Sequence, residues 1–229
     1  MEQQIKNLLT IVLPSYFNLE LLKFWLNNSA KDNLFNSVNI YIALSEIKEN
    51  FDDITRTFNF KNIKFFWFDK TKTMEEKIFS ISSSIKSKYV YLCGDGVLPN
   101  ISNICRLIEE KNDDVFIIYP KKSHFYKVFL NNQLEKCKKE KIFYFLTYCG
   151  GSIVKKELFQ LNLSEVPFKS NFCYPVAILN NLKNLDNVSF NCGDFYSFSP
   201  LKKKSTRYNS ESIFAIWTQN YIKSIFLLN

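Results

Sequence analysis

The chain of 229 residues is 46% hydrophobic and 17% aromatic, with 23 Phe and 12 Tyr against five Gly and six Pro, which excludes a disordered or low-complexity protein and suffices for one large core. Thirty Lys plus Arg against 22 Asp plus Glu leave a net charge of +8, yet the only arginines are Arg56, Arg106 and Arg207. Readers of nucleic acid lean on Arg for bidentate contacts, so a diffuse lysine excess points to a phosphorylated small molecule or an anionic membrane surface and away from nucleic acid.

Taken in chain order, short β-branched and aromatic runs alternate with amphipathic stretches. Residues 8–13 (LLTIVL), 38–44 (VNIYIAL), 63–68 (IKFFWF), 89–93 (YVYLC) and 115–119 (VFIIY) read as strands, buried on both faces where the run is continuous. Between them, residues 19–30, 51–58, 74–86 and 101–111 carry helical apolar spacing. This rhythm predicts an α/β fold, a mostly parallel central sheet flanked by helices, with ligands at the carboxyl ends of the strands. Attention therefore falls on the loops after Leu13, Leu44, Phe68 and Cys93.

The second half is less regular. Residues 142–147 read as a further strand, Gly150-Gly151-Ser152 as a turn, 155–161 as a short helix, 174–183 as a helix and 188–191 as a strand. A basic loop, Lys202-Lys203-Lys204, precedes residues 212–228, an amphipathic helix carrying Ile213, Phe214, Trp217, Tyr221 and Phe226. A chain ending inside such a helix reads as truncated, or as docking that helix elsewhere.

The six cysteines are widely spaced and form no CxxC pair, which fits reduced thiols in a cytoplasmic core better than zinc or disulfides. Neither a signal peptide nor a run approaching about 18 apolar residues is visible, so the expected location is cytoplasmic.

Three segments carry the functional signal. In Thr10 to Asn18 (TIVLPSYFN) an apolar strand ends in Pro14-Ser15-Tyr16 ahead of a helix. About eighty residues later a buried strand delivers the lone carboxylate of Asp95 into a turn flanked by Gly94 and Gly96. The third segment, Gly150-Gly151-Ser152, again precedes a helix. Each is weak alone; their order and spacing are the signal.

Over roughly residues 8 to 160 this arrangement resembles the family 2 glycosyltransferases of the GT-A fold, and more loosely their bacterial surface-polysaccharide members related to abequosyltransferases. In that family the opening strand reads like TIVIPTYN and ends against the nucleotide base, a central strand ends in a DxD-type aspartate cluster, and a later GGS or GGN segment lines the acceptor and donor cleft. The resemblance implies that Pro14, Ser15 and Tyr16 bind the nucleotide, that Gly94 and Gly96 approach the phosphates and sugar, and that Gly150, Gly151 and Ser152 line the cleft. It puts Asp95 at the final DxD aspartate, as both metal ligand and catalytic residue. Glu46 would take the acid that bonds base or ribose, unless it is an inert loop residue, and Lys77 the basic side chain near the pyrophosphate, unless it lies on a solvated helix face. His124 either faces the cleft or belongs to a surface loop.

Two departures stand out. The first DxD aspartate falls at Cys93 and the acid following the motif at Gly96, so a divalent cation, Mn²⁺ or Mg²⁺, would rest on Asp95 with phosphates and waters completing its shell. Asp95 alternatively only shapes a turn. The general base that inverting members place some twenty residues after the GGS segment is missing, since the window from Lys169 to Pro175 holds no acid. Glu165 is the nearest upstream candidate and Asp194 a distant one.

The expected protein has a nucleotide-sugar-binding catalytic domain over residues 1–200 and a basic loop with amphipathic helix over 201–229. It moves a sugar, with inversion, from a nucleotide diphosphate sugar to a surface glycan, such as capsule or lipopolysaccharide, or a lipid-linked acceptor. Peripheral contact with an anionic membrane would follow from the lysines and aromatics near its end. The alternative is a nucleotide-binding module that has lost catalysis. A nucleotidyltransferase is disfavoured because Pro14-Ser15-Tyr16-Phe17-Asn18 lacks a glycine-rich loop.

Overall fold

The computed structural model describes residues 5–16, 19–45, 48–120, 142–143, 145–147, 149–159 and 173–201. Within them the chain forms strands β1 (Leu9–Tyr16), β2 (Asn39–Ser45), β3 (Ile63–Trp67), β4 (Tyr89–Leu92), β5 (Val97–Pro99), β6 (Val115–Tyr119), β7 (Ser152–Lys155), β8 (Val188–Cys192) and β9 (Tyr196–Phe198). The helices are α1 (Leu19–Ser29), α2 (Lys48–Thr57), α3 (Met74–Ser82), α4 (Ile101–Glu110), α5 (Lys156–Phe159) and α6 (Cys173–Asn181).

Side-chain alternation decides what each strand buries. Leu9, Ile11 and Leu13 of β1, Ile40, Ile42 and Leu44 of β2, and Tyr89 and Tyr91 of β4 share one core with Trp25 of α1, Ile54 of α2 and Ile104 of α4. The intervening Val12, Ala43, Val90 and Leu92 join a second core with Ile78, Phe79 and Ile81 of α3 and Val176, Ala177 and Ile178 of α6. Helices thus cover both faces, as the continuous apolar runs require.

The central sheet has seven strands in the order β3-β2-β1-β4-β7-β6-β8. All its pairs are parallel except those of β7, which runs antiparallel between β4 and β6. β5 and β9 form a separate antiparallel pair. The expected fold class, a mostly parallel sheet flanked by helices, is what the structure has.

The larger differences lie in the second half. Residues 142–143 and 145–146 are helical where the sequence predicts a strand. Ile142, Phe143, Phe145 and Leu146 all enter the second core, and a run buried on every side looks alike as strand or helix. The sheet position beside β4 goes instead to β7, whose four residues are too few to show a period. α3 also ends at Ser82, earlier than its apolar spacing predicts, because Ser82 Oγ bonds the Phe79 carbonyl and Ser84 N–H the Ile81 carbonyl, closing the helix. Among the described residues no helix is long and apolar enough to cross a membrane.

Candidate functional site

β1 and β4 part company at the carboxyl end of the sheet. Their register runs from Leu9↔Tyr89 to Val12↔Leu92, and Cys93 N–H closes it on the Val12 carbonyl at 2.9 Å. Beyond that point β1 continues beside β2 alone, as far as Tyr16↔Ser45. Since the chain builds outward through β2 and β3 on one side and returns with β4 on the other, this is the topological switch point, where such sheets open a crevice. Pro14 lies past the last β4 pair, so its missing N–H takes nothing from that ladder.

Two of the three sequence segments meet in the crevice. Ser15, fully buried at the end of β1, donates its Oγ to Asp95 Oδ2 at 3.2 Å. Asp95 is partly exposed, in a turn that the Val97 N–H closes on the Gly94 carbonyl at 2.9 Å. From below, the indole Nε1 of Trp25 donates to the Val97 carbonyl at 2.7 Å, and from the side Ser199 N–H donates to the carbonyl of buried Gly96 at 3.0 Å. The turn is therefore fixed from α1 and from the strand pair β5–β9.

The third segment closes on the same turn. Gly150 N–H donates to the Leu92 carbonyl at 2.8 Å and the Tyr91 hydroxyl to the Gly150 carbonyl at 3.2 Å. Gly150 has φ +112°, and a Cβ there would stand 3.0 Å from Val97 Cγ1, so both conformation and space demand glycine. A Cβ on Gly94 would meet Cys149 Cβ at 3.4 Å, which places Cys149 and Gly150 directly against the Cys93-Gly94 step. Gly151 is buried beside them and Ser152, also buried, opens β7.

Other expected positions fare differently. Glu46, His124 and Glu165 lie outside the described residues, as do the lysines 202–204 and residues 212–228; Tyr16 ends β1, but its side chain is not described. Lys77 is fully buried in the first turns of α3, which corrects the solvated-face alternative. Asp194 is exposed, with its carbonyl on Asn103 of α4. Cys93 points into the first core, donates its thiol to the Val97 carbonyl at 3.3 Å, and is held neutral by burial, which pushes the thiol far up. The position of the first DxD aspartate thus offers no ligand.

Glu75 is a buried acid that is not among the residues expected at the site. It sits in the first turn of α3, only 4% exposed, and burial raises its carboxyl to about 7. The signal was present: Glu75, Ile78, Phe79 and Ser82 follow helical spacing and all are buried, so an acid occupies the apolar stripe. Its neighbour Glu76 has a different task, completing a capping box with Thr73.

Among the described residues no group of three His, Cys, Asp or Glu side chains converges on a metal site. Asp95 contributes one carboxylate at the crevice mouth. That donor suits Mg²⁺ or Mn²⁺ only when substrate phosphates and waters supply the remaining oxygens.

No protein-family model and no curated protein sequence matches the chain. Solved structures match it in fold. Glucosyl-3-phosphoglycerate synthase from Mycobacterium tuberculosis aligns with TM-score 0.65 at 10% identity, over 99% of this chain and 82% of that one. TarS from S. aureus, residues 1–349, aligns with TM-score 0.60 at 13% identity, over 96% and 69%. The mannosyltransferase PcManGT from Pyrobaculum calidifontis gives TM-score 0.55 at 11% identity, over 80% and 56%. Against the longer TarS structure the chain spans 39% of the length. The class these neighbours define is the GT-A fold of glycosyltransferases, and this chain has that fold.

Proposed function

We propose that the chain is a glycosyltransferase that binds a nucleoside diphosphate sugar in the crevice between β1 and β4 and passes the sugar to an acceptor hydroxyl, with inversion. The observation that carries this reading is the Ser15–Asp95 contact, which joins the end of the first strand to the end of the central one across 80 residues of sequence. Neighbours of the same fold were solved with UDP, with GDP-Man and Mn²⁺, and with Mn²⁺, UDP-Glc and phosphoglyceric acid, which supports a nucleotide sugar here.

In this reading Pro14, Ser15, Tyr16 and Glu46 bind the nucleoside, and Lys77 and Asp95 serve the diphosphate. Gly94, Gly96 and the Gly150 to Ser152 segment let the donor sugar and acceptor approach the backbone. A divalent cation bound by Asp95 would neutralise charge on the departing diphosphate. Ser15 holds the Asp95 carboxylate in one orientation, so the crevice does not reorganise as charge develops. The acceptor is a surface glycan or lipid-linked intermediate reached from the cytoplasmic side of a membrane.

A second reading, a nucleotide-binding module without catalysis, is favoured by one observation: Cys93 turns into the core where the family-like pattern has a carboxylate. Thermal shift with the diphosphates of uridine, guanosine, cytidine and thymidine, followed by turnover on a panel of their sugars, separates the readings. Stabilisation with turnover supports the enzyme, stabilisation alone the module, and no stabilisation by any of them at millimolar concentration removes both.

A further inference from the structure

Resting on the glycosyltransferase reading, we infer that Glu75 is the proton acceptor for the attacking hydroxyl, supplied from α3 in place of the acid missing between Lys169 and Pro175.

α3 follows the carboxyl end of β3 and runs back toward the start of β4, so its first turn stands at the same end of the sheet as the crevice. Met74 Sδ lies 3.9 Å from Cys149 Sγ, and Cys149 Cβ is the atom that a Gly94 side chain would meet at 3.4 Å. A continuous wall thus leads from the first turn of α3 through Cys149 to Gly94 and Asp95. Across from it comes α6, which brings Tyr174 out of the very window that lacks an acid. Tyr174 is buried, donates its hydroxyl to the Leu146 carbonyl, and has its proton held tightly, first by burial and then by the nearby Cys149 and Glu75. The acid-free window thus brings Tyr174 of α6 within electrostatic reach of the acid of α3.

Chemistry singles out Glu75 among the nearby carboxyls. Its Oε1 is buried and has no hydrogen-bond partner among the described residues, while the carboxylate is otherwise tied only to its own backbone N–H. Glu76 is committed to the Thr73 cap and to Lys72. A buried carboxyl with an unused oxygen costs stability, so nothing structural accounts for an acid on this face. The charged and titratable groups that bear on Glu75 are Tyr174 of α6 and Glu76 on its own helix; burial is the main cause that brings the carboxyl to about 7, with Glu76 adding to it. A base that titrates near neutrality both accepts a proton readily and is available ionised.

The step balances. The acceptor oxygen forms a bond to the anomeric carbon, the bond from that carbon to the diphosphate oxygen breaks, the nucleoside diphosphate leaves with the electron pair, and the hydroxyl proton passes to Glu75 Oε1.

Water can stand in for an unknown acceptor, so the test is release of nucleoside diphosphate from UDP-glucose, UDP-N-acetylglucosamine and GDP-mannose by the full chain. Glu75→Gln should lower release about a hundredfold or more while the thermal shift given by UDP or GDP stays as in the wild type. Glu75→Asp should recover part of the rate, and the wild-type rate should fall as pH drops below about 7. Release by Glu75→Gln close to the wild-type rate, or loss of the nucleotide shift along with turnover, would overturn the assignment and leave the glycosyltransferase reading standing. A wild-type protein that neither binds these nucleotides nor releases them would overturn both.

Discussion

Asp95 and Glu75 are carboxyl groups in opposite surroundings. Asp95 lies at the mouth of the crevice with Ser15 on one oxygen, whereas Glu75 is only 4% exposed, with one oxygen unpartnered among the described residues. Asp95→Asn preserves shape and should leave the thermal midpoint unchanged, yet lower turnover about a hundredfold, a loss of roughly 3 kcal/mol of electrostatic stabilisation. Full activity in that variant, or indifference of the wild type to chelator, would show that Asp95 only shapes the turn. Glu75 also affects stability in a pH-dependent way. Its carboxyl, raised from 4.5 to about 7, holds its proton more tightly folded than unfolded, so its contribution is complete below 4.5 and is lost as pH rises through about 7. Glu75→Gln should therefore gain stability over the wild type progressively between pH 4.5 and about 7, level off above that at up to roughly 3 kcal/mol, and change little in acid. Asp95 was legible because a buried strand followed by Gly-Asp-Gly exposes its carboxylate in any fold of this kind. The burial of Lys77 is not legible in the same way, because a charged residue in an amphipathic helix reads as solvated unless its exact face is known, whereas Glu75 falls on the apolar stripe with Ile78, Phe79 and Ser82 and carries a readable signal.

The strands legible in advance include those that bury both faces and also the partly exposed β3 and β8. β1, β2, β4 and β6 carry continuous apolar runs, and their partners could be inferred from the alternation with helices alone. β5, β7 and β9 have three or four residues each and owe their existence to the strands beside them, so no local pattern announces them. β7 matters most for the site, because it starts where the Gly150 turn presses on Val97. Gly150→Ala forces a side chain into a left-handed conformation and into Val97 Cγ1 at 3.0 Å. It should cost about 1–3 kcal/mol, read as a lower urea midpoint. Trp25→Phe keeps the ring in the first core but leaves the Val97 carbonyl only the weak Cys93 thiol donor, at a cost of about 1 kcal/mol. A midpoint unchanged in either variant would mean that the turn around Asp95 is not held in the way described.

For the whole molecule, a sheet covered on both faces leaves its carboxyl end as the place for a ligand, and that much follows from the order of strands and helices in the sequence. The sign of the overall charge adds a further expectation about where the molecule works. Lys202, Lys203 and Lys204 precede an apolar stretch, and three lysines at about 1 kcal/mol each give weak, salt-sensitive attraction to an anionic bilayer. Co-sedimentation should therefore show binding to anionic vesicles that falls with added salt and with triple Lys→Glu substitution; equal binding by wild type and triple variant would remove the proposal.

The turn around Asp95 is tied down by bonds that reach 80 residues back to Ser15, 72 back to Trp25 and, through Tyr91, 59 forward to Gly150. None of these can form until distant parts of the chain have come together, and with Ser199 N–H on the Gly96 carbonyl a nascent chain lacks the complete crevice until residue 199 has emerged. It also cannot open by local fraying. The amide hydrogens of Cys93 and Gly150, bonded to the carbonyls of Val12 and Leu92, should exchange with solvent as slowly as those in the middle of β1 and β4, giving a site that breathes only when the sheet itself unfolds.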